Sequence, residues 1–383
     1  MSLKERRDLH ELHREGNRGV LFTLLDVRGS SYRQPGARLF AATGGATAGT
    51  LSGGCLEADL LRRAEWYVRD GAGIHGFSTA FDDTAEIPYG LGCGGEVDVL
   101  SEPAHAEEAT ALLDAIAATL AGEHRTIVTV LPHASQTLQR FIMDAAGDVL
   151  FASESLETED LVPLRRSALR SQHATIQQVA QVRIFVELLE PVQRLVIFGA
   201  GEDARPLATM AHTMGWRVAV VDTRTHRVTA DRFPLAEERV VAPDATHVRE
   251  DDVVMVMTHS YEQDRSIIAH LLRNRPRFVG LLGARHRSAL LLKEAADLAG
   301  VTFTAAVEAV HSPVGLHLGG EGPEAIALAV VAEMQAVLHD GAQVRSRRMT
   351  LEQANDALAK GQLTVQDTVC RVRTDADTTA VNA

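Results

Sequence analysis

Apolar and polar positions alternate along the chain in two rhythms, and the change falls near residue 190. In the first half, "GVLFTLLDV" (19–27) is apolar, rich in β-formers and preceded by glycine, and predicts a buried strand. A short charged helix precedes it, opened by the capping-box pair Ser2 and Glu5. The turn-rich "GSSYRQPG" leads into a strand around Arg38–Ala42, and "GGATAGTLSGGC", with five glycines in twelve residues, leads into a helix from about Leu56 to Arg69. "IHGFSTAF" and "EVDVLSEP" predict further strands, residues 105–123 an alanine-rich helix, and "RTIVTVLP" another strand. "RFIMDAAGDVLFAS" predicts a hairpin, residues 160–170 a helix, and "QVRIFVELLEP" (181–191) a closing strand that ends on Pro191.

From 192 onward the pattern becomes strand, glycine-rich turn and helix, repeated. "VQRLVIFGAGEDARPLATMAHTMGWRVAVVDTR" reads as one βαβ unit, and "DVVMVMTHSYEQDRSIIAHLLRN" and "RFVGLLGARHRSALLLKEAADLAG" repeat the scheme. A last helix carries Pro323 in its first turn and an apolar face of Ile326, Val330, Val331 and Met334. Short all-apolar strands alternating with helices mean a parallel sheet covered on both faces. The expected fold is α/β: a C-terminal Rossmann-like doubly wound parallel sheet plus an N-terminal α+β domain. The expected domains are 1–190, 191–340, and a polar tail, 341–383, disordered at "TDADTTAVNA".

Composition narrows the function classes. With 45% hydrophobic and 23% charged residues the chain is a soluble globular protein, and a net charge of −13 with only 4% aromatics counts against nucleic acid as a partner. No run approaches the roughly 18 apolar residues of a membrane span, and the charged N-terminus lacks the apolar core of a signal peptide. Cysteines at 55, 93 and 370 form no paired framework and have no metal-ligand spacing, so the reading is a cytoplasmic protein with free thiols and no directly bound metal.

"GAGEDA" fits the dinucleotide pattern G-x-G-x-x-A between a strand and a helix, with Asp222 ending the next strand roughly 20 residues on. Gly199 would make the tight turn, Gly201 would let a pyrophosphate approach the helix N-terminus, and Asp222 would accept from a ribose hydroxyl. Glu202, however, stands beside the expected phosphate and would repel it unless turned away. One reading is an NAD(P)-dependent oxidoreductase with His259 or His311 as acid/base, although no settled proton-transfer set is visible. Both histidines follow apolar segments whose ends face the ligand crevice, and a helix cap or turn is the plainer alternative for each.

Cys55 lies where a helix begins, a position that favours a thiolate, and Gly53 and Gly54 leave room for a ligand. Consecutive N–H groups in "SGGCLE" would also cradle an anion, and Glu57 falls in the first turn. Cys93 sits in a second glycine loop, "YGLGCGGEVDV". Small buried residues are the commonest fate of free cysteines, but two thiols in glycine loops suit core packing poorly. "RGSSYRQPGARL" adds Arg28, Ser30, Ser31, Arg33 and Arg38, suited to phosphate or carboxylate recognition or simply to a solvated loop.

Taken together, "RGSSYRQPGARL", "GTLSGGCLE", "GLGCGGEVDVL", "LVIFGAGEDARPLA", "WRVAVVDTR", "VMTHSYEQD", "GLLGARHR" and "HSPVGLHLGGEGPEAIALAVVAEM" resemble the XdhC/CoxI family, accessory proteins of molybdenum hydroxylases such as xanthine dehydrogenase. The resemblance spans about residues 20–340. It implies a chaperone without turnover of its own that binds molybdenum cofactor, as molybdopterin or its dinucleotide form. Such a chaperone holds the cofactor while a cysteine desulfurase supplies sulfur, then delivers it to the apo-enzyme, often as a homodimer. Carried over by motif, Cys55 and Cys93 are the cofactor-contacting thiols and Gly199, Gly201 and Asp222 line the crevice. Gly53, Gly54, Arg33, Arg38, His259 and His311 complete the expected cofactor-binding set, and a persulfide on Cys55 is a further reading. Glu202 stands where many relatives carry histidine, and "GGEGPE" lacks the basic or hydroxyl residue usual before its proline. The geometric expectation is that both thiols and the nucleotide crevice open onto one shared cavity.

Overall fold

Among the described residues the chain forms three five-stranded sheets, two antiparallel and one parallel. The computed structural model describes residues 1–339 except 17, 30, 53, 79–94 and 133–136; the side chains of Cys55 and Thr158 are also outside the described set. Met1–Met334 form one compact unit, and the second, Gln335–Ala383, lies mostly beyond the described residues.

Sheet 1 contains β1 (Gly19–Arg28), β2 (Arg38–Ala42), β3 (Thr47–Gly49), β4 (Gly73–Ser78) and β5 (Glu96–Pro103) in the order β3-β2-β1-β5-β4. With it come α1 (Leu3–Arg14), α2 (Cys55–Arg62) and the short α3 (Ala64–Tyr67). The continuous apolar run of β1 has a simple cause: both faces of the strand are covered. Val20, Phe22 and Leu24 pack with Leu56, Leu60 and Tyr67, whereas Leu21 packs toward Leu112, Ile116, Ile127 and Ile142. The single helix expected from Leu56 to Arg69 is divided, because Arg63 leaves helical geometry at φ −115° and ψ 17°.

Sheet 2 contains β6 (Arg125–Val130), β7 (Gln139–Met143), β8 (Val149–Ala152), β9 (Thr175–Val179) and β10 (Val182–Leu189) in the order β8-β7-β6-β10-β9, with α4 (Glu107–Leu120) and α5 (Thr158–Ala168). Its outer face, with Val128, Phe141, Ile184 and Val186, buries Leu164 and Ala168 of α5. Its inner face meets sheet 1 through Leu25, Leu100 and Phe185. Two buried ion pairs cross the same gap. Arg38 of β2 reaches Glu187 of β10 at 2.6 Å, and Arg140 of β7 grips Glu102 of β5 with bonds of 2.9 and 3.0 Å. The pairing satisfies four charges that the interior would otherwise reject.

Sheet 3 is parallel: β11 (Arg194–Phe198), β12 (Arg217–Asp222), β13 (Glu238–Val241), β14 (Val253–Val256) and β15 (Phe278–Leu281), ordered β13-β12-β11-β14-β15. Helices α6 (Ala204–Thr213), α7 (Tyr261–Asn274), α8 (Arg285–Ala299), α9 (Phe303–Ala309) and α10 (Pro323–Leu338) accompany it. The α/β expectation therefore holds, with the Rossmann-like half C-terminal. On α10, Val330, Val331 and Met334 are buried as expected, but Ala327 rather than Ile326 completes that face.

The first half packs against the N-terminal ends of the parallel strands. Arg217, at the start of β12, donates to the Leu120 carbonyl at 3.2 Å, and His124 meets the Asp251 carboxylate at 3.1 Å. Arg277, before β15, pairs with Glu190 at 3.3 Å. The C-terminal ends of the strands lie at the opposite edge, roughly 15 Å away for a five-residue strand.

Candidate cofactor-binding site

The register of sheet 1 brings the described flanks of the three distinctive segments of the first half to one end. β1 finishes at Arg28, opposite Glu96 of β5, and β4 finishes at Ser78, also opposite Glu96. β2 begins at Arg38, and β3 finishes at Gly49, opposite Leu39. The loop 29–37, the "TLSGG" segment entering α2, and the described residues Ser78 and Glu96 that flank 79–94 thus lie at the same end. Cys93 and Gly53 lie outside the described residues, as does the side chain of Cys55, whose backbone opens α2.

Glu57 organises the second of these segments. Its carboxylate accepts from the Thr50 hydroxyl at 2.6 Å, Leu51 N at 2.8 Å, Ser52 N at 2.6 Å and Gly54 N at 3.0 Å, and from the Ser52 hydroxyl. Burial alone would raise its pKa, but these donors outweigh burial and hold it at about 2. The N–H groups expected to cradle an external anion are therefore already committed to a carboxylate of the chain. Gly54 has φ 118° with no atom within 4 Å of where a Cβ would stand, so glycine is required there by backbone conformation, with open space beside it.

Arg33 and Arg38 part company. Arg33, on the loop, pairs with Glu5 at 2.6 Å and remains partly exposed. Arg38 is wholly buried, donating to Glu187 and, at 2.9 Å, to the Gly36 carbonyl, so its guanidinium is a structural cation with no face to solvent. Arg28 is spent on Asp98 at 2.9 Å.

The dinucleotide-like turn forms as its sequence requires. Gly199 adopts φ 112°, and a Cβ there would stand 2.3 Å from the Met257 carbonyl oxygen. Gly199→Ala should therefore lower the melting temperature, through a loss of roughly 1–3 kcal/mol in the Rossmann-like half, measurable by thermal denaturation. Asp222 accepts from Ala200 N at 2.8 Å and takes both Nε and Nη2 of Arg224, at 2.8 and 2.7 Å. Burial opposes ionisation, yet the Arg224 and backbone donors bring its pKa to about 2. Both oxygens are thus engaged within the chain, and Asp222 braces the turn.

His259 adopts a left-handed φ of 63° and hydrogen-bonds Asp203 at 2.8 Å; its Nε2 lies 3.6 Å from the Cβ position of Gly201. Glu202 turns outward onto Arg205 and Arg232, at 3.0 and 2.8 Å. The Asp203 carboxylate and the His259 imidazole therefore stand beside Gly201, while both oxygens of Asp222 are taken by Arg224 and Ala200 N. His311 is separate: it pairs with Glu333 at 2.9 Å, stacks on Phe278, and bridges Gly280 beside β15.

The expected shared cavity needs Cys93 and the side chain of Cys55, which lie outside the described residues. Gly199, Gly201, Asp222 and His259 sit at the C-terminal edge of sheet 3, and the first half packs on the other edge. The sequence reading missed Asp203 and Glu187. Glu187 had a visible signal, being an acid at an inward position of an apolar strand; Asp203 had none.

Comparison with known proteins agrees with this architecture. Residues 195–334 match the XdhC Rossmann domain, and residues 12–77 match the XdhC and CoxI family. The chain is 29% identical over 337 residues to a probable xanthine dehydrogenase subunit of Bacillus subtilis (strain 168), covering 85% of this chain and 95% of that one. It is 22% identical over 337 residues to the molybdenum cofactor insertion chaperone PaoD of Escherichia coli (strain K12), covering 84% of each. The crystal structure of a xanthine dehydrogenase from Bacillus halodurans superposes with a TM-score of 0.71 at 26% identity, over 92% of this chain and 99% of that one. With both halves of its fold matched in order, the chain belongs to the XdhC and CoxI family.

Proposed function

We propose that this chain binds molybdenum cofactor and delivers it to a xanthine dehydrogenase-type molybdenum hydroxylase, acting as a maturation chaperone without turnover of its own. The observation that carries the reading is the meeting of loop 29–37, the "TLSGGC" turn and the ends of segment 79–94 at one end of sheet 1. The kinship with the insertion chaperone PaoD supports the same role.

When bound, the cofactor supplies a molybdenum–sulfur centre, a pterin and an anionic tail. The chain's own part is to hold it. Glu57 fixes the turn that leads into Cys55 at the start of α2. Cys93 would contribute the second thiol. Sulfuration by a cysteine desulfurase while the cofactor is held, and action as a homodimer, belong to the same proposal.

Incubation of micromolar purified protein with molybdenum cofactor should give a stoichiometric complex on gel filtration, read by metal analysis. Cys55→Ser and Cys93→Ser should each weaken retention at least tenfold. A protein that retains no cofactor under these conditions would overturn the proposal.

A further inference from the structure

Beside the end of sheet 1 lies a cavity of about 490 Å³, within the range of small-molecule pockets. Arg6, Tyr32, Arg33, Gly36, Glu187 and Leu189 are among the residues lining it. We infer that this cavity is the seat of a pteridine ring bearing an anionic tail, an assignment that rests on the cofactor-binding reading above and gives it a location.

Glu187 carries the argument. It is 3% exposed, yet lines the cavity; Oε2 is held by Arg38, and Oε1 comes so close to Gly36 that a Cβ there would meet it at 2.9 Å. The side chain is thus a fixed carboxylate, charge-balanced from behind, with its other oxygen turned to the loop. An interior carboxylate of this kind suits a ligand edge made of adjacent N–H donors. The 2-amino-4-oxopyrimidine edge of a pterin, with its amino group beside a ring N–H, is such an edge.

The rest of the wall complements the rest of that ligand. Tyr32 is 72% exposed at the rim, an aromatic face free to cover a flat heterocycle. Arg33 pairs with Glu5 and Arg38 with Glu187, but Arg6 has no carboxylate partner among the described residues. Its guanidinium instead donates to the Thr119 hydroxyl and the Glu190 carbonyl, both neutral, and its Nε has no partner. Burial, and secondarily the Arg38 charge, depress its pKa to about 10. One positive charge is therefore left over in the wall, which favours an anion on the ligand.

The probe is pterin-6-carboxylate, a fluorescent pteridine with one anionic substituent, titrated into the full chain. One molecule should bind per chain with a change in its emission, and benzoate, an anion without the donor edge, should fail to displace it. Glu187→Gln leaves Arg38 buried without its counter-charge and is expected to disturb folding, so the discriminating variants lie at the rim. Tyr32→Ala should weaken binding by about tenfold, and Tyr32→Trp should retain it. Retention of intact molybdenum cofactor without binding of pterin-6-carboxylate would overturn the pocket and leave the chaperone function standing. Loss of both would overturn the function as well. Displacement by benzoate, or inorganic phosphate binding as tightly as the pteridine, would reduce the cavity to a plain anion site and also defeat the assignment.

Discussion

Glu102→Gln should destabilise the first half of the chain by about 3–5 kcal/mol. Glu102 and Arg140 are both fully buried, and the guanidinium spans both carboxylate oxygens while also donating to the Thr129 hydroxyl at 3.0 Å. Removing the negative member leaves a cation in the interior between two sheets, and its desolvation is then uncompensated. Replacing both partners with apolar residues, as in Glu102→Leu with Arg140→Met, should recover most of the loss, because the pair's net worth against hydrocarbon is small. The chain's two tryptophans make the measurement specific, since Trp66 lies beside sheet 1 and Trp216 precedes β12 in the Rossmann-like half. Urea titrations of the Trp66→Phe and Trp216→Phe backgrounds should place the destabilisation in the half reported by Trp66. Equal loss in both, or no recovery in the double variant, would contradict this assignment of the pair.

The second large effect belongs to Glu57. Its pKa is depressed from the ordinary 4.5 to about 2, so it binds protons less readily in the folded chain than in the unfolded one. Stability from this group is fully present above about pH 4.5 and is lost as pH falls toward 2, amounting to roughly 3 kcal/mol at neutral pH. Glu57→Gln should remove most of that stabilisation and release the backbone N–H groups of Leu51, Ser52 and Gly54 from their common acceptor. Because the same residues lead into Cys55, cofactor retention should fall at least tenfold, beyond what the loss of stability explains. A Glu57→Gln protein with unchanged acid stability would refute the ion's role, and one that retained cofactor as well as the parent would refute the loop's.

These two carboxylates also show how much of the molecule was readable in advance. Glu57 was visible as a helix first-turn acid, a feature most helices share, so its five-donor role could not be told apart from an ordinary cap. Glu102 and Glu187 were visible as acids interrupting apolar strands, and Arg38 and Arg140 as bases doing the same. A strand sequence states that a charge points inward; it does not state which opposite charge, 149 residues away in the case of Arg38 and Glu187, will meet it. Asp222 was read as a ribose acceptor from spacing alone. Arg224, only two residues later, closes it, because both side chains leave the end of β12 on the same side and a bidentate pair outcompetes water.

The sequence by itself determined most of the local elements, the parallel strand–helix rhythm after Pro191, the glycine turn at Gly199, and the family. These follow from periodicity and backbone sterics, which act over a few residues and are written in consecutive positions. Only the tertiary structure decided that loop 29–37, the turn into α2 and the residues flanking 79–94 lie at one end of sheet 1, that Arg38 is walled in, and that the Rossmann-like crevice lies on the far edge from the first half. Register, sheet stacking and the choice of packing edge are settled by buried area and by the pairing of distant charges. Those terms become defined only when segments far apart in the chain are brought into contact.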